Sequence, residues 1–369
     1  MSQNSKLFTS ASVGGMSLPH RVVLAPMTRA RSSQPGDIPN AMNATYYAQR
    51  SSAAFIISEA SQISPQGKGY SFTPGIYTEE QVAGWRLITD AVHKEGGRIY
   101  VQLWHVGRMS HPEFHQGELP VAPSAVPFDA SIWKVNAETG VGEMVACVTP
   151  RALETAEIKG IVDDYRRAAR NAMEAGFDGV EIHGANGYLI DQFLRDGSNR
   201  RDDAYGGSIE NRARFALEVV DAVVAEIGAG RVGIRLSPVT PSNDIQDSNP
   251  QAIFGYLVEH LNARGIAFIH FVEGETGGPR DVSGFDFAWA RKTFKGTYIA
   301  NNGYTRQMAL DAVDSGAADA VAFGRAYIAN PDLVQRLKLD APLNEANPKT
   351  FYTPGEVGYT DYPALQQAA

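Results

Sequence analysis

One stretch of the sequence groups three side chains that could act on a single ligand atom. Residues 179–189 form a short apolar run that ends at Gly184 and then presents His183, Asn186 and Tyr188 together. Histidine and asparagine offer N–H donors, and tyrosine offers a hydroxyl that keeps its proton because its ordinary pKa is ~10. Such a group could stabilise negative charge on an oxygen and deliver a proton. A capped turn with a packed tyrosine is the structural alternative.

A second group of residues indicates a phosphate site. Gly303 and the pair Gly324-Arg325 each end an apolar run and stand before a helical pattern. Backbone N–H groups, a helix N-terminus and a guanidinium together bind phosphate well. The alternative is that both glycines merely end strands.

Two polar residues inside apolar runs need partners. Gln102 offers a donor and an acceptor, which suits the edge of a heterocycle such as a flavin pyrimidine ring, although a satisfied buried glutamine fits equally. Arg235 keeps its charge and must be paired. The structural alternative is an ion pair with Glu181, which is two residues before His183 and on the same face of the strand. The functional interpretation places Arg235 beside a group that becomes anionic during turnover, and both can hold at once. Aromatic candidates for the pocket walls are Trp104, Tyr70 and Tyr352.

These residues lie at the ends of apolar runs that alternate with helical patterns. The predicted strands are Arg21–Met27, Phe55–Ala60, Ile99–Trp104, Gly179–His183, Val232–Pro238, Phe268–Glu273, Tyr298–Gly303 and Ala320–Arg325. The predicted helices are Glu154–Gly176, Ile209–Ile227, Pro250–Ala263, Thr305–Ser315 and Pro331–Leu339. Eight strands with intervening helices predict the α/β class and one (β/α)8 TIM barrel over residues 1–369, with the site at the carboxyl ends of the strands. A doubly wound sheet would need a glycine fingerprint after the first strand, and residues 26–29 do not provide one.

Three segments fall outside this alternation. Residues 7–18, which contain Gly14-Gly15, predict a hairpin that closes the bottom of the barrel. Residues 105–150 are too long for a plain loop after the third strand and predict an excursion over the active face. The Pro- and Tyr-rich tail after Leu339 is expected to fold back over that face.

Composition narrows the class of protein further. A net charge of -8 argues against a nucleic-acid-binding surface, and no stretch of ~20 apolar residues would span a membrane. The only cysteine, Cys147, excludes an intrachain disulfide, a thiolate-ligated iron–sulfur cluster and a Cys-rich zinc site. The N-terminus lacks the apolar run of a signal peptide. We therefore expect a cytoplasmic protein without a metal, either a monomer or a homodimer.

Five motifs, in order along most of the chain, carry a resemblance to a known family. They are residues 26–29 (PMTR), 102–108 (QLWHVGR), 183–189 (HGANGYL), 205–212 (YGGSIENR) and 323–325 (FGR). Together they resemble the Old Yellow Enzyme family of FMN-dependent ene-reductases. With threonine at position 28, the chain resembles the branch that includes N-ethylmaleimide reductase and pentaerythritol tetranitrate reductase. The other main branch has cysteine at this position. The sequence departs from the family pattern at Asn301-Asn302-Gly303 and in a short segment after the sixth strand, residues 273–281.

The resemblance implies a non-covalent FMN. It places Thr28 at flavin O4, Gln102 at the pyrimidine edge and Arg235 near N1 and O2. The cofactor-binding residues that it implies are Pro26, Met27, Thr28, Ala60, Gln102, His183, Arg235, Asn302, Gly303, Gly324 and Arg325, the last three at the phosphate.

The resemblance also implies the reaction. NAD(P)H, with NADPH favoured, would reduce the flavin, and an electrophilic alkene activated by a carbonyl or nitro group would then take hydride in the same pocket. His183 and Asn186 would bind the activating oxygen, and Tyr188 would donate the proton. The substrate-binding residues that it implies are His183, Asn186, Tyr188, Trp104, Tyr70 and Tyr352.

The sequence leaves two other functions open. A non-catalytic flavin-binding barrel would share the cofactor residues but would not need the three substrate-side residues. A phosphate-sugar aldolase would share the phosphate end, but it needs a lysine at a strand end. None of the nine lysines stands at the end of a predicted strand.

Overall fold

Eight parallel strands close into a barrel in which each strand pairs with the next and the eighth pairs with the first. The computed structural model describes residues 5–135 and 141–365. The barrel strands, in chain order, are Val22–Leu24, Ile56–Gln62, Ile99–Trp104, Gly179–Gly184, Val232–Leu236, Phe268–Val272, Thr297–Asn301 and Ala320–Phe323. The prediction of a (β/α)8 TIM barrel is confirmed. Almost every strand residue is buried, because the barrel core covers one face of each strand and helices cover the other.

The helices surround the barrel and bury their apolar sides against it. They are Ala41–Ala48, Glu79–Lys94, Thr155–Glu174, Leu189–Leu194, Ile209–Ile227, Pro250–Ala263, Phe287–Thr293, Arg306–Ser315, Arg325–Ala329 and Leu333–Leu339. The long helix after the excursion ends as predicted, since Ala175 caps it and Gly176 follows with a φ of +88°. The prediction that Pro331 lies in the first turn of the last helix is wrong, because that helix begins at Leu333 after the N-cap Asp332.

The predicted hairpin closes the bottom of the barrel. Strands Ala11–Val13 and Met16–Leu18 pair antiparallel, and Val13 and Leu18 pack into a buried apolar cluster with Val23, Phe55 and Phe268. Gly14 is required at the turn. It has a φ of +56°, and a Cβ there would come within 1.9 Å of the backbone oxygen of Gly230. The turn can therefore approach the barrel wall only with glycine at this position.

The excursion after the third strand forms a cap on the opposite end of the barrel. It contains a short parallel pair, Val121–Ala122 with Arg151–Ala152, and a hairpin of Ser131–Val135 with Gly142–Ala146. Ile132 of the hairpin is fully buried in an apolar cluster with Trp104. Residues 136–140 of the predicted excursion lie outside the described residues.

The C-terminal tail packs against the loop after the first strand, on the face where the predicted site lies. Arg31 donates hydrogen bonds to the carbonyls of residues 350, 351 and 355, and Arg29 donates to the carbonyl of Gly358. Tyr359 stacks on Tyr46 with ring centroids 4.1 Å apart. Buried guanidiniums thus satisfy the carbonyls of a segment that has little regular structure of its own.

Candidate active site

The turn after the fourth strand contains two residues with left-handed backbone. Asn186 and Gly187 are consecutive left-handed residues, with φ of +59° and +77°. A Cβ on Gly187 would come within 2.6 Å of the Ser242 carbonyl oxygen, so this position also requires glycine. The Asn186 N–H donates to the Ser237 hydroxyl at 2.8 Å, and its carbonyl accepts from the Asn243 side chain at 2.7 Å. The turn is therefore anchored from the loop after the fifth strand.

The hydrogen bonds of His183 fix its tautomer. Its Nδ1 accepts from the backbone N–H of Ala185 at 3.3 Å, so the ring proton resides on Nε2. Burial lowers the pKa of His183 well below its usual range, and the charge of Arg235, with that of His270 when it is protonated, lowers it further. A neutral imidazole with an Nε2–H donor results.

The Asn186 carboxamide also has one end engaged. Its Oδ1 accepts a hydrogen bond from the Thr276 hydroxyl at 2.7 Å. Its Nδ2 makes no hydrogen bond within residues 5–135 and 141–365. The free end of the amide is therefore an N–H donor. His183 likewise has one free N–H donor.

Tyr188 stands beside this pair within an aromatic cluster. Its hydroxyl is 3.3 Å from the hydroxyl of Tyr70, and its ring meets Trp104 edge-on at 4.9 Å and His183 at 5.0 Å. Burial raises the pKa of Tyr188 above its usual value of 10, so the hydroxyl keeps its proton at neutral pH. Tyr352 of the tail is about half exposed, yet it lies close enough to add to this rise in pKa. The predicted substrate-side residues thus gather in one place.

Glu181 and Arg235 form no ion pair, so the structural alternative for Arg235 is not borne out. Glu181 is fully buried, and its two oxygens bind Gln102 Nε2 at 2.7 Å and His270 Nδ1 at 2.8 Å. Because Gln102 donates its amide N–H to Glu181, its carbonyl oxygen is the end left for a ligand. The strand register placed Gln102 level with Glu181, but the contact with His270 reaches across to the sixth strand.

Arg235 is instead held by the seventh strand. Its Nη2 donates to Asn301 Oδ1 at 2.8 Å, and Asn301 Nδ2 donates to the Ala322 carbonyl at 2.7 Å. The Nε of Arg235 is buried without a hydrogen-bond partner among the described residues. Leaving such a donor unpaired costs roughly 1–3 kcal/mol or more for a charged group, so a ligand that accepts from this Nε would stabilise the site.

The ends of the first two strands bring Pro26, Met27, Thr28 and Ala60 to the same face. Pro26 and Ala60 are buried, and the Thr28 hydroxyl makes no hydrogen bond to the described residues. Beneath them Glu59 accepts from the backbone N–H groups of Arg29 and Ala30, which fixes the turn that follows Thr28. Burial raises the pKa of Glu59 to about 7, against the opposing effect of those two hydrogen bonds.

At the predicted phosphate end, the side chain of Asn302 binds backbone groups of the protein instead of a ligand. Asn302 Nδ2 donates to the carbonyls of Glu273 and Glu275 at 2.8 Å, and its Oδ1 accepts from the Gly277 N–H at 3.0 Å. Its side chain therefore holds the loop after the sixth strand, and only its backbone remains for a ligand.

The other three residues of that end are open. Gly303 has a φ of +63° with space around it, Gly324 caps the helix Arg325–Ala329, and the exposed Arg325 forms no hydrogen bond or ion pair with any described residue.

The unpartnered groups fit a flavin mononucleotide. A guanidinium Nε, a hydroxyl and an amide carbonyl near the carboxyl ends of barrel strands are able to bind the edge of a heterocycle, and a free guanidinium with open glycines is able to bind a phosphate. No group of three or more His, Cys, Asp or Glu residues able to hold a metal ion occurs in the described part of the chain. Among those same residues, no helix is long and apolar enough to cross a membrane.

Sequence reasoning missed several residues of this site. Thr276, Ser237 and Asn243 stand in loops, where no periodicity marks them, and their contacts depend on loop geometry. His270 carried a signal, since a histidine within the apolar run 268–272 needs a buried partner.

The chain matches a known protein family over most of its length. Residues 6–344 match the model of the NADH:flavin oxidoreductase / NADH oxidase family. The chain is 49% identical over 368 residues to 12-oxophytodienoate reductase 1 of Oryza sativa subsp. japonica, covering 98% of this chain and 93% of the relative. It is 48% identical to 12-oxophytodienoate reductase 2 of Arabidopsis thaliana, covering 100% and 98%.

Solved structures are similarly close. Morphinone reductase in complex with tetrahydroNAD superposes with a TM-score of 0.94 at 50% identity, covering 98% of each chain. The old yellow enzyme homologue from Zymomonas mobilis gives 0.91 at 42% identity, covering 98% of this chain and 100% of the other.

Proposed function

Because this chain belongs to the Old Yellow Enzyme family of NADH:flavin oxidoreductases, we propose that it reduces the C=C bond of α,β-unsaturated carbonyl and nitro compounds. The observation that carries the proposal is the pair of free donors, His183 Nε2 and Asn186 Nδ2, beside the Tyr188 hydroxyl. Two free donors three residues apart, on one strand end and the turn after it, suit an oxygen on which negative charge develops. A protonated tyrosine next to them suits delivery of a proton to carbon.

The cofactor of the proposal is FMN, which, when bound, accepts hydride equivalents from a reduced nicotinamide and passes them to the alkene. Gln102, Arg235 and Thr28 would hold its ring, and Gly303, Gly324 and Arg325 would hold its phosphate. Pro26, Met27, Ala60 and the Asn302 backbone would line the same site. Arg235 supplies a fixed positive charge whose position depends on Asn301.

The residues on the substrate side would divide the remaining work. His183 and Asn186 bind and polarise the activating oxygen. Their hydrogen-bond partners within the protein already hold them, so they need little reorganisation as charge builds up. Tyr188 gives its proton to the α-carbon, and Trp104 and Tyr70 form a wall that keeps its ring in place. Tyr352 closes the side formed by the tail.

Two alternatives lose support. No lysine lies on any of the eight barrel strands, so a Schiff-base aldolase lacks its nucleophile. A barrel that only stores flavin would not need the substrate-side donors.

The substrate of the proposed reaction is a small molecule. We keep NADPH as the favoured electron donor. NADH must be tested beside it, because a similar structure, that of morphinone reductase, contains tetrahydroNAD.

The deciding experiment has two parts. Purified protein should be yellow and should release FMN, not FAD, on denaturation, as chromatography of the supernatant will show. It should then oxidise NADH or NADPH in the presence of enones, maleimides or nitroalkenes; nitrate esters complete the screen. A colourless protein, or a yellow one that is inert to both nicotinamides, contradicts the proposal.

A further inference from the structure

The loop after the sixth barrel strand reaches into the oxygen-binding pair through one hydroxyl. Thr276 Oγ1 lies 2.7 Å from Asn186 Oδ1, and this is the only hydrogen bond made by the Asn186 side chain to a described residue. An amide presents either an oxygen or an N–H to a ligand, depending on its rotation about the last side-chain bond. Whatever fixes that rotation decides what the pocket can bind.

The hydrogen bonds around Thr276 settle the direction of the donor. Thr240 Oγ1 donates its single proton to the Gly274 carbonyl at 2.9 Å, and it accepts from the Thr276 N–H at 3.2 Å. The Thr276 hydroxyl proton can therefore go to Asn186 Oδ1 at 2.7 Å or to Thr240 Oγ1 at 3.2 Å. The contact to Asn186 is 2.7 Å long, which is usual for an O–H···O bond and short for an N–H···O bond, so Asn186 Oδ1 is the acceptor and Nδ2 points away from the loop.

The loop is itself held in a fixed shape. Asn302 binds the carbonyls of Glu273 and Glu275 and the N–H of Gly277, which are three backbone groups around Thr276. Asn302 adopts a φ of +112°, an unusual conformation for a residue other than glycine. These contacts give Thr276 a defined position even though its side chain is exposed.

We infer that Thr276 is a positioning residue that turns the Asn186 amide so that the pocket offers two donors and no acceptor. The pocket would then select ligands that present an oxygen acceptor over ligands of the same shape that present an N–H donor. This inference rests on the proposed function, because it concerns the site where the activating oxygen binds.

The test compares two probes of the same shape, titrated into the oxidised flavin-loaded protein: para-chlorophenol, whose phenolate form is an oxygen acceptor, and para-chloroaniline, whose amino group carries N–H donors. In Thr276→Val the hydroxyl is lost and the shape is kept, so either rotation of the Asn186 amide becomes accessible. Phenol affinity should fall roughly fivefold, the amount typical of one neutral hydrogen bond. The ratio of phenol to aniline affinity should fall by at least as much. Thr276→Ser, which keeps the hydroxyl, should restore both quantities to within about twofold.

A double-mutant cycle separates positioning from a general loss of structure. In an Asn186→Ala background, Thr276→Val should cause no further change in phenol affinity, and FMN content should stay at the wild-type level throughout. Unchanged phenol affinity in Thr276→Val, an equal loss in the Asn186→Ala background, or a failure of serine to rescue would overturn the inference. A wild-type protein that holds no flavin, or holds flavin and ignores both enones and phenols, would instead overturn the proposed function.

Discussion

The two ends of the pocket satisfy their polar groups in opposite ways. At the oxygen end, His183, Asn186 and Tyr188 each have a partner within the protein: Ala185, Thr276 and Tyr70. At the phosphate end, Arg325 has no hydrogen bond or ion pair with any of residues 5–135 and 141–365. The difference follows from what each end must do. Donors that act on a transient charge benefit from being fixed beforehand, whereas donors for a resident anion are completed by that anion.

The largest effect should come from removing the proton donor at the oxygen end. Tyr188→Phe keeps the ring and its packing, and general acid catalysis is typically worth ~10²–10⁴-fold, so reduction of simple enones should slow by about that factor. Flavin reduction by the nicotinamide should hardly change, since it needs no proton from Tyr188. Stopped-flow measurement of the two half-reactions distinguishes the outcomes. Tyr70→Phe is the matched control and should have a much smaller effect. Equal slowing of both half-reactions would make Tyr188 a pocket wall.

The second largest effect should fall on the phosphate end. Arg325→Ala removes a free guanidinium, and a charge-assisted hydrogen bond contributes roughly 1.5–3 kcal/mol, so the FMN dissociation constant should rise about 10- to 150-fold. Arg291→Ala is the control, because Arg291 is paired with Asp319 and lines the bottom of the barrel. Equilibrium dialysis of the two variants against FMN gives the comparison. Unaltered FMN affinity in Arg325→Ala would mean that the phosphate binds elsewhere.

The barrel could be predicted from the sequence because its parallel strands are buried on both faces. A strand buried on both faces is a continuous apolar run that ends at glycine or polar residues, and all eight runs could be located from that pattern. Helix Glu79–Lys94 was missed although Thr78 and Gln81 form a capping box at its start. That signal was available in the sequence.

The partners of the site residues were harder to predict, for a geometric reason. An ion pair with Arg235 on the neighbouring strand was one possibility for Glu181, yet Glu181 binds His270 two strands away. The order of the strands predicts the height of a side chain along the barrel axis. It does not predict which side chain on a non-adjacent strand it will contact. Asn302 and Thr276 act through a loop whose shape depends on contacts distant in sequence. The residue types of the site were therefore predictable, and their hydrogen bonds were not.

A smaller effect tests whether the oxygen end is kept neutral. The pKa of His183 is lowered in the folded protein, while the unfolded imidazole titrates near ~6.5. The unfolded state therefore binds more protons below that pH, and stability falls as the pH decreases through it. One pH unit below, a single such histidine costs about 1.4 kcal/mol.

Urea unfolding of the FMN-loaded protein at about pH 7.5 and about pH 5.5 measures this cost. His183→Asn should lose about 1.4 kcal/mol less stability on acidification than the wild type does. His20, whose pKa burial lowers to about 4, is left in place in both proteins, so its contribution cancels. An identical loss of stability in both proteins would mean that His183 is protonated in the folded state.

The smallest effect concerns Thr28. It tests whether the groups that bind the flavin ring are, like Arg325, left without a partner in the protein. Its hydroxyl is unpartnered among the described residues, like Arg325, and the turn beside it is fixed by Glu59. If the hydroxyl donates to flavin O4, it stabilises the more electron-rich reduced form, and Thr28→Ala should lower the flavin potential. A neutral hydrogen bond of about 0.5–1.5 kcal/mol corresponds to roughly 10–30 mV for two electrons. Reduction by the nicotinamide should slow and enone reduction should hold or quicken.

Thr28→Ser should retain the wild-type potential, measured by equilibration with a reference dye. A potential that rises, or does not move, would place the Thr28 hydroxyl away from O4 and confine the unpartnered donors to Arg235 and the phosphate end.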